Sequence, residues 1–102
     1  MFSSFFFFVF PIVSITVSGE SMLPTYKNGK KLLIKKKWFF CTLNKGDIVV
    51  FYHPQNKKIL IKRILEKNNN EFILIGDNIS KSTDSRTFGS VCKKNIIGKV
   101  IY

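Results

Sequence analysis

Apolar residues fall along this chain in short runs separated by turn residues. Val13-Ser14-Ile15-Thr16-Val17 has a period of two, the pattern of a half-buried strand. Lys31 to Lys35 predicts a second strand. Gly46-Asp47 opens a third, Ile48-Val49-Val50-Phe51-Tyr52, which Pro54 closes. Ile59 to Glu66 predicts the next. Lys67-Asn68-Asn69-Asn70 reads as a tight polar turn, and Glu71 to Ile75 as the returning arm of the hairpin. Ile96 to Tyr102 predicts a last strand. No segment after the amino terminus keeps a helical period, and neither repeats nor a linker interrupt the chain. The expectation is one compact, mainly β domain.

Composition modifies this picture at one end. The chain has 102 residues, near the lower end of comfortable size for one domain. A hydrophobic fraction of 45% excludes disorder throughout. Phenylalanine, with 11 copies, is crowded into the first ten residues. Phe2 to Val17 is apolar but for Ser3, Ser4, Ser14 and Thr16, with Pro11 as a kink point. As a helix it is about 24 Å long, short against a hydrocarbon core of about 30 Å. No basic residue precedes it, which argues against a cleaved secretory signal. A short anchor, an interfacial segment and a first strand of the fold all remain open. The expected division is a membrane-associating segment over 1–16 and a catalytic-type domain over 17–102.

The formal net charge is +11, almost all from Lys, with Arg only at Arg63 and Arg86. Such a balance favours anionic partners. No pattern of Arg and stacking aromatics on one face is visible, so no nucleic-acid partner is expected. The Lys30-Lys31 and Lys35-Lys36-Lys37 cluster follows the apolar run, and the positive-inside rule assigns such charges to the cytoplasmic side. Cys41 and Cys92 match no metal-ligand spacing; a single disulfide and two separate thiols both stay open. One histidine, His53, and two distant cysteines do not make a zinc shell, and no metal or cofactor is expected. His53, before Pro54 at a strand end, reads as a surface residue.

Three blocks carry chemistry. Ser18-Gly19-Glu20-Ser21-Met22-Leu23-Pro24-Thr25 offers a serine after a glycine that lets another backbone approach. Lys62 lies in Ile59-Leu60-Ile61-Lys62-Arg63-Ile64-Leu65, where alternation sets it between Leu60 and Ile64 and opposite Arg63. Apolar neighbours lower a lysine pKa, which an amine needs if it is to accept a proton. Gly76-Asp77-Asn78-Ile79-Ser80-Lys81-Ser82-Thr83-Asp84-Ser85-Arg86 is a polar loop dense enough to bond to itself. Taken singly, these are a serine-rich turn, a basic edge strand and a surface loop.

In this order, with Gly46-Asp47-Ile48-Val49-Val50-Phe51 before Lys62-Arg63, the blocks resemble the signal peptidase I family of Ser-Lys proteases, from about Val17 to Tyr102. The resemblance implies a signal-peptidase-like β core. Ser21 becomes the nucleophile and Lys62 its general base. The Ser21 N–H becomes the oxyanion donor, with Gly19 and Met22 flanking the substrate approach. Ser82 is expected to bond the Lys62 amine, Asp84 and Arg86 to form a supporting ion pair, and Arg63 to support the site. Glu20 is expected to face solvent or the cleft.

The implied substrates are precursor proteins with an amino-terminal leader and small residues before the cut. A membrane-associated location follows, with the cytoplasmic face open as an alternative; the oligomeric state is not legible. Larger members carry an insertion between the Lys-Arg strand and the Gly-Asp-Asn loop, where this chain has only a hairpin. In that compactness it is similar to maturation proteases for nickel superoxide dismutase. Two other readings are a self-cleaving relative of the SOS-response repressors and a non-enzymatic basic β module for nucleic acid or anionic lipid.

Overall fold

A computed structural model describes residues 12–37 and 42–102. Seven strands form one antiparallel sheet: β1 (Ile12–Thr16), β2 (Lys31–Lys36), β3 (Ile48–Tyr52), β4 (Ile59–Asn68), β5 (Glu71–Ile75), β6 (Val91–Cys92) and β7 (Ile96–Val100). Their order across the sheet is β1-β2-β7-β3-β4-β5-β6. The only α-helix among the described residues, α1 (Ser85–Phe88), is a single turn. Two 3-10 turns, Ile79–Lys81 and Lys93–Asn95, complete the elements.

The mainly β fold agrees with the alternation in the sequence, and β5 has the expected bounds. The sheet begins at Ile12, inside the stretch set apart as a membrane segment, because Ile12–Thr16 pairs along its length with Lys31–Lys35. Residues 1–11 lie outside the described residues, as does Cys41. Cys92 is a free, half-buried thiol. Lys31, Lys35 and Lys36 are part of β2, so three of the five lysines of the basic cluster belong to a folded strand rather than to a flank of the apolar run.

β3 organises the interior. Ile48, Val49, Val50 and Phe51 are all buried, as an uninterrupted β-branched and aromatic run demands when both faces of a strand are covered. Alternation sends Val49 and Phe51 into one core with Ile64, Phe72, Leu74, Val91 and Ile96. It sends Ile48 and Val50 into a second core with Val17, Met22, Leu32, Ile34 and Ile61. The pairing Val49↔Lys62 then puts Lys62 on the first face of β4, and Ile48↔Arg63 puts Arg63 on the second.

β4 is the strand on which position matters most. Its register with β5 shifts between Ile64 and Glu66, so Leu65 is an extra residue. The bulge ends the buried alternation, and the four residues from Leu65 to Asn68 are exposed. β5 pairs with β4 only from Arg63 onward, while β3 pairs with Ile59 to Arg63. The Ile59–Lys62 half of β4 therefore has a strand on one edge alone.

His53 is not a plain surface residue. Its ring packs against Phe88 at 4.6 Å between centroids, and Nδ1 accepts the N–H groups of Gln55 and Asn56. It caps the turn after β3, an otherwise unsatisfied backbone position.

Phe51 fills the first core and meets Phe88 at 6.2 Å between ring centroids. Phe51→Ala should cost about 4 kcal/mol of unfolding free energy, to be read as a lowered midpoint in urea with an unchanged slope.

Candidate active site

Ser21 sits in the turn that leaves Val17, and that turn is pinned from three sides. Met22 is 0% exposed and anchors it in the second core. Gly19 turns the chain at φ +89° and donates its N–H to Asn28 Oδ1 at 2.9 Å. The Asn78 N–H donates to the Ser21 carbonyl at 2.8 Å, and Asn78 Nδ2 to the Glu20 carbonyl at 3.0 Å. The hydroxyl is thereby held while the Ser21 N–H donates to no acceptor among the described residues.

Lys62 reaches this serine from β4. It is 4% exposed, and its Nζ is hydrogen-bonded to Ser21 Oγ at 2.8 Å. Burial lowers its pKa below the ordinary lysine value, and the charge of Asp84 offsets part of that effect. An amine eased toward its neutral form, in contact with a serine hydroxyl, can take the proton of that hydroxyl.

The environment of Asp84 explains why it does not simply pair with Lys62. Asp84 is 0% exposed and is the N-cap of α1. Its carboxylate accepts from the Gly76 N–H at 2.9 Å, Ser82 Oγ at 2.7 Å, the Arg86 N–H at 3.1 Å and Arg86 Nε at 2.9 Å. Burial alone would raise its pKa; hydrogen bonds from Arg86, Gly76 and Ser82 outweigh it and hold the group well below the usual carboxylate range. The Asp84–Arg86 ion pair is thus present as the resemblance implied. The Ser82–Lys62 hydrogen bond is not: the Ser82 hydroxyl donates to Asp84, the stronger, charged acceptor.

A second ion pair lies across β4. Arg63 Nε and Nη2 grip Asp77 at 2.8 and 2.7 Å, and Nη1 donates to the Gly46 carbonyl at 2.8 Å. The hydrogen bonds from Arg63 lower the Asp77 pKa against a smaller opposing effect of burial. The Thr25 hydroxyl also donates to Asp77. The three sequence blocks are therefore tied together through Thr25–Asp77–Arg63, and the serine and loop blocks a second time through Asn78–Ser21.

Sequence reasoning gave Thr25, Asp77 and Asn78 no part in the site, although all three stood inside the quoted blocks. It also missed the demand on Gly76. A Cβ there would lie 2.1 Å from Ser82 Oγ and 2.7 Å from the Ser21 carbonyl, so only glycine lets the loop close on the serine. Met22 was placed at the substrate approach; its side chain instead faces the core, and it contributes by fixing Ser21.

A cleft of about 310 Å³ runs past the dyad. Residues 15–21 form one wall and Ile59–Lys62 the other, with Val50 in the floor and Lys81 at the loop. Both walls are strand edges or their extensions, since β1 pairs only with β2 and this half of β4 only with β3.

The family described as signal peptidase, peptidase S26, matches residues 1–66 and 67–102. The chain belongs to this family. The two matched stretches meet in the β4–β5 hairpin. Signal peptidase I of Helicobacter pylori is 48% identical over 44 residues, 43% of this chain and 14% of that protein. Signal peptidase I V of Bacillus subtilis is 25% identical over 86% of this chain and 83% of its own length. Mitochondrial inner membrane protease subunit 1 of Xenopus tropicalis is 30% identical over 84% of this chain and 65% of that protein.

Two variants test the packing of the site. Asp84→Ala strands a buried N–H and a guanidinium and should cost about 3 kcal/mol, measured by denaturant unfolding. The depressed Asp84 pKa stabilises the fold above the unfolded value of about 3.9, and that contribution is lost as pH falls below it; the acid dependence should flatten in the variant. Gly76→Ala should lower any peptidase activity on the order of 100-fold by displacing Ser21 or Ser82, read as kcat/KM.

Proposed function

We propose that this chain is a serine endopeptidase that removes amino-terminal leaders from precursor proteins, with Ser21 and Lys62 as a catalytic dyad. The observation that carries this is the buried Lys62 amine, 2.8 Å from Ser21 Oγ beside a cleft of about 310 Å³. Family membership supports the same reaction.

The substrate enters as an added strand between the two open walls, which supply backbone groups for it. Neutral Lys62 takes the Ser21 proton as Oγ bonds to the scissile carbonyl carbon. The Ser21 N–H receives the oxyanion. Lys62 returns the proton to the departing amine as the C–N bond breaks. The Lys62 amine then takes a proton from water, whose oxygen attacks the acyl ester, and gives that proton to Ser21 Oγ as the ester C–O bond breaks. Gly19 keeps the wall beside the serine open, while Arg63, Ser82, Asp84 and Arg86 hold the loop and strand that set the distance.

Work at a membrane is part of the proposal. Its support is the apolar stretch at the start of the sequence and the relative named for the mitochondrial inner membrane. Among the described residues, no helix is long and apolar enough to cross a membrane. The signal peptidase relatives favour exported precursors over the leader of a nickel superoxide dismutase, and they give a non-enzymatic binding module no support.

The test is cleavage by the purified full chain in detergent of two precursors, one with a secretory signal peptide and one with a nickel superoxide dismutase leader. The first should be cut. Ser21→Ala and Lys62→Met should each lose on the order of a thousand-fold or more in kcat/KM. Cleavage that survives both changes would sink the dyad.

The pH profile gives an independent check. Because only the neutral amine accepts a proton, activity should rise with pH along a limb centred below about 10.4, the ordinary lysine value. Between the lowered and ordinary values the unfolded chain binds more protons than the folded one, so stability also rises with pH there. Lys62→Met should abolish that rise without loss of stability at neutral pH, measured by thermal melts.

A further inference from the structure

The cleft contains charges that the reaction does not use. Lys81 and Glu20 both line it, beside the dyad and on different segments. Neither side chain has an ion-pair partner within 4.0 Å among the described residues. The carboxylates nearest in the chain are occupied: Asp77 by Arg63 and Thr25, Asp84 by Arg86 and Ser82.

Lys81 is also held more firmly than a lysine on a free loop. Its N–H donates to the Asn78 carbonyl at 2.9 Å, closing the 3-10 turn. Arg86 Nη2 clamps the carbonyls on both sides of it, Ile79 at 2.7 Å and Ser82 at 3.3 Å. Asn78 in turn is bonded to the Ser21 carbonyl. The backbone carrying Lys81 is thus tied to both the Ser21 turn and the Asp84–Arg86 ion pair, which fixes where along the cleft its side chain starts.

We propose, resting on the peptidase reading above, that Lys81 is a specificity residue that selects an acidic side chain at one defined position of the substrate strand. Glu20 repels an acid from its own part of the cleft, so the preference is positional. A general attraction of negative peptides to a chain of net charge +11 would instead be uniform along the substrate. A pair formed at a solvent-open cleft is screened and modest. The strand geometry still makes it specific, since successive side chains point to opposite sides and only one register meets Lys81.

The experiment uses the full chain in detergent and one neutral leader-junction peptide that it cuts. Aspartate is placed singly at each position on either side of the scissile bond, and kcat/KM is measured at low and high salt. Wild type should favour aspartate at one position by about three- to five-fold at low salt, with the preference fading at high salt. Lys81→Gln should erase it, and Lys81→Glu should turn it into a preference for lysine at the same position. An equal gain at every position, or a preference unchanged in both variants, overturns the proposal. Failure of wild type to cut even the neutral parent peptide overturns the peptidase reading itself, and the proposal with it.

Discussion

A lysine amine must be withdrawn from water beside a serine without being captured by a carboxylate. Much of the structure around the cleft follows from that constraint. Lys62 is buried on the sheet face that also carries Val49, Phe51 and Ile64, where its charged form is disfavoured. Yet two aspartates stand close in the chain to the loop that covers it. Each is occupied by one of the only two arginines in a chain that is otherwise basic through lysine. The guanidinium fork explains the choice: it meets both carboxylate oxygens and adjacent carbonyls at once, which a lysine ammonium does less well.

The two ion pairs have different settings. Asp84 is buried and anchors the loop from within, with donors from Gly76, Ser82 and Arg86 converging on it. Asp77 lies nearer the surface and joins β4 to the serine turn through Thr25. Isolated surface ion pairs add little to stability. Here their value is positional: they fix where a loop and a turn meet a strand, and a proton-transfer distance depends on all three. The uncovered half of β4 completes the arrangement, because the edge that β5 leaves open is the edge that faces the cleft.

Much of the fold could be read from the sequence because one physical rule produced it. Strands with one buried face show period two, and Val13–Val17 does so plainly, while Ile59–Ile64 and Glu71–Ile75 were marked by short apolar runs between turn residues. β3 was legible for the complementary reason, a continuous apolar run covered on both faces. β6, two residues long, and α1, a single turn, leave too few positions to show a period. The serine and lysine blocks were legible through their resemblance to a family, and alternation alone placed Lys62 opposite Arg63.

The partners within the site were decided only by tertiary structure. The folded loop brings the Asp84 carboxylate to the Ser82 hydroxyl, while the Lys62 amine meets Ser21 instead. Met22 adjoins the nucleophile in sequence, but the turn rotates its side chain into the core. Gly76 looked like a turn residue until the chain closed and left no room for a Cβ. The sequence by itself determined the strand pattern, the family and which serine and lysine to consider together, because these are properties of local order. The Lys62–Ser21 and Thr25–Asp77 hydrogen bonds join residues 41 and 52 apart in the chain, and Glu20 meets Lys81 in one cleft; only the folded chain brings such distant segments together.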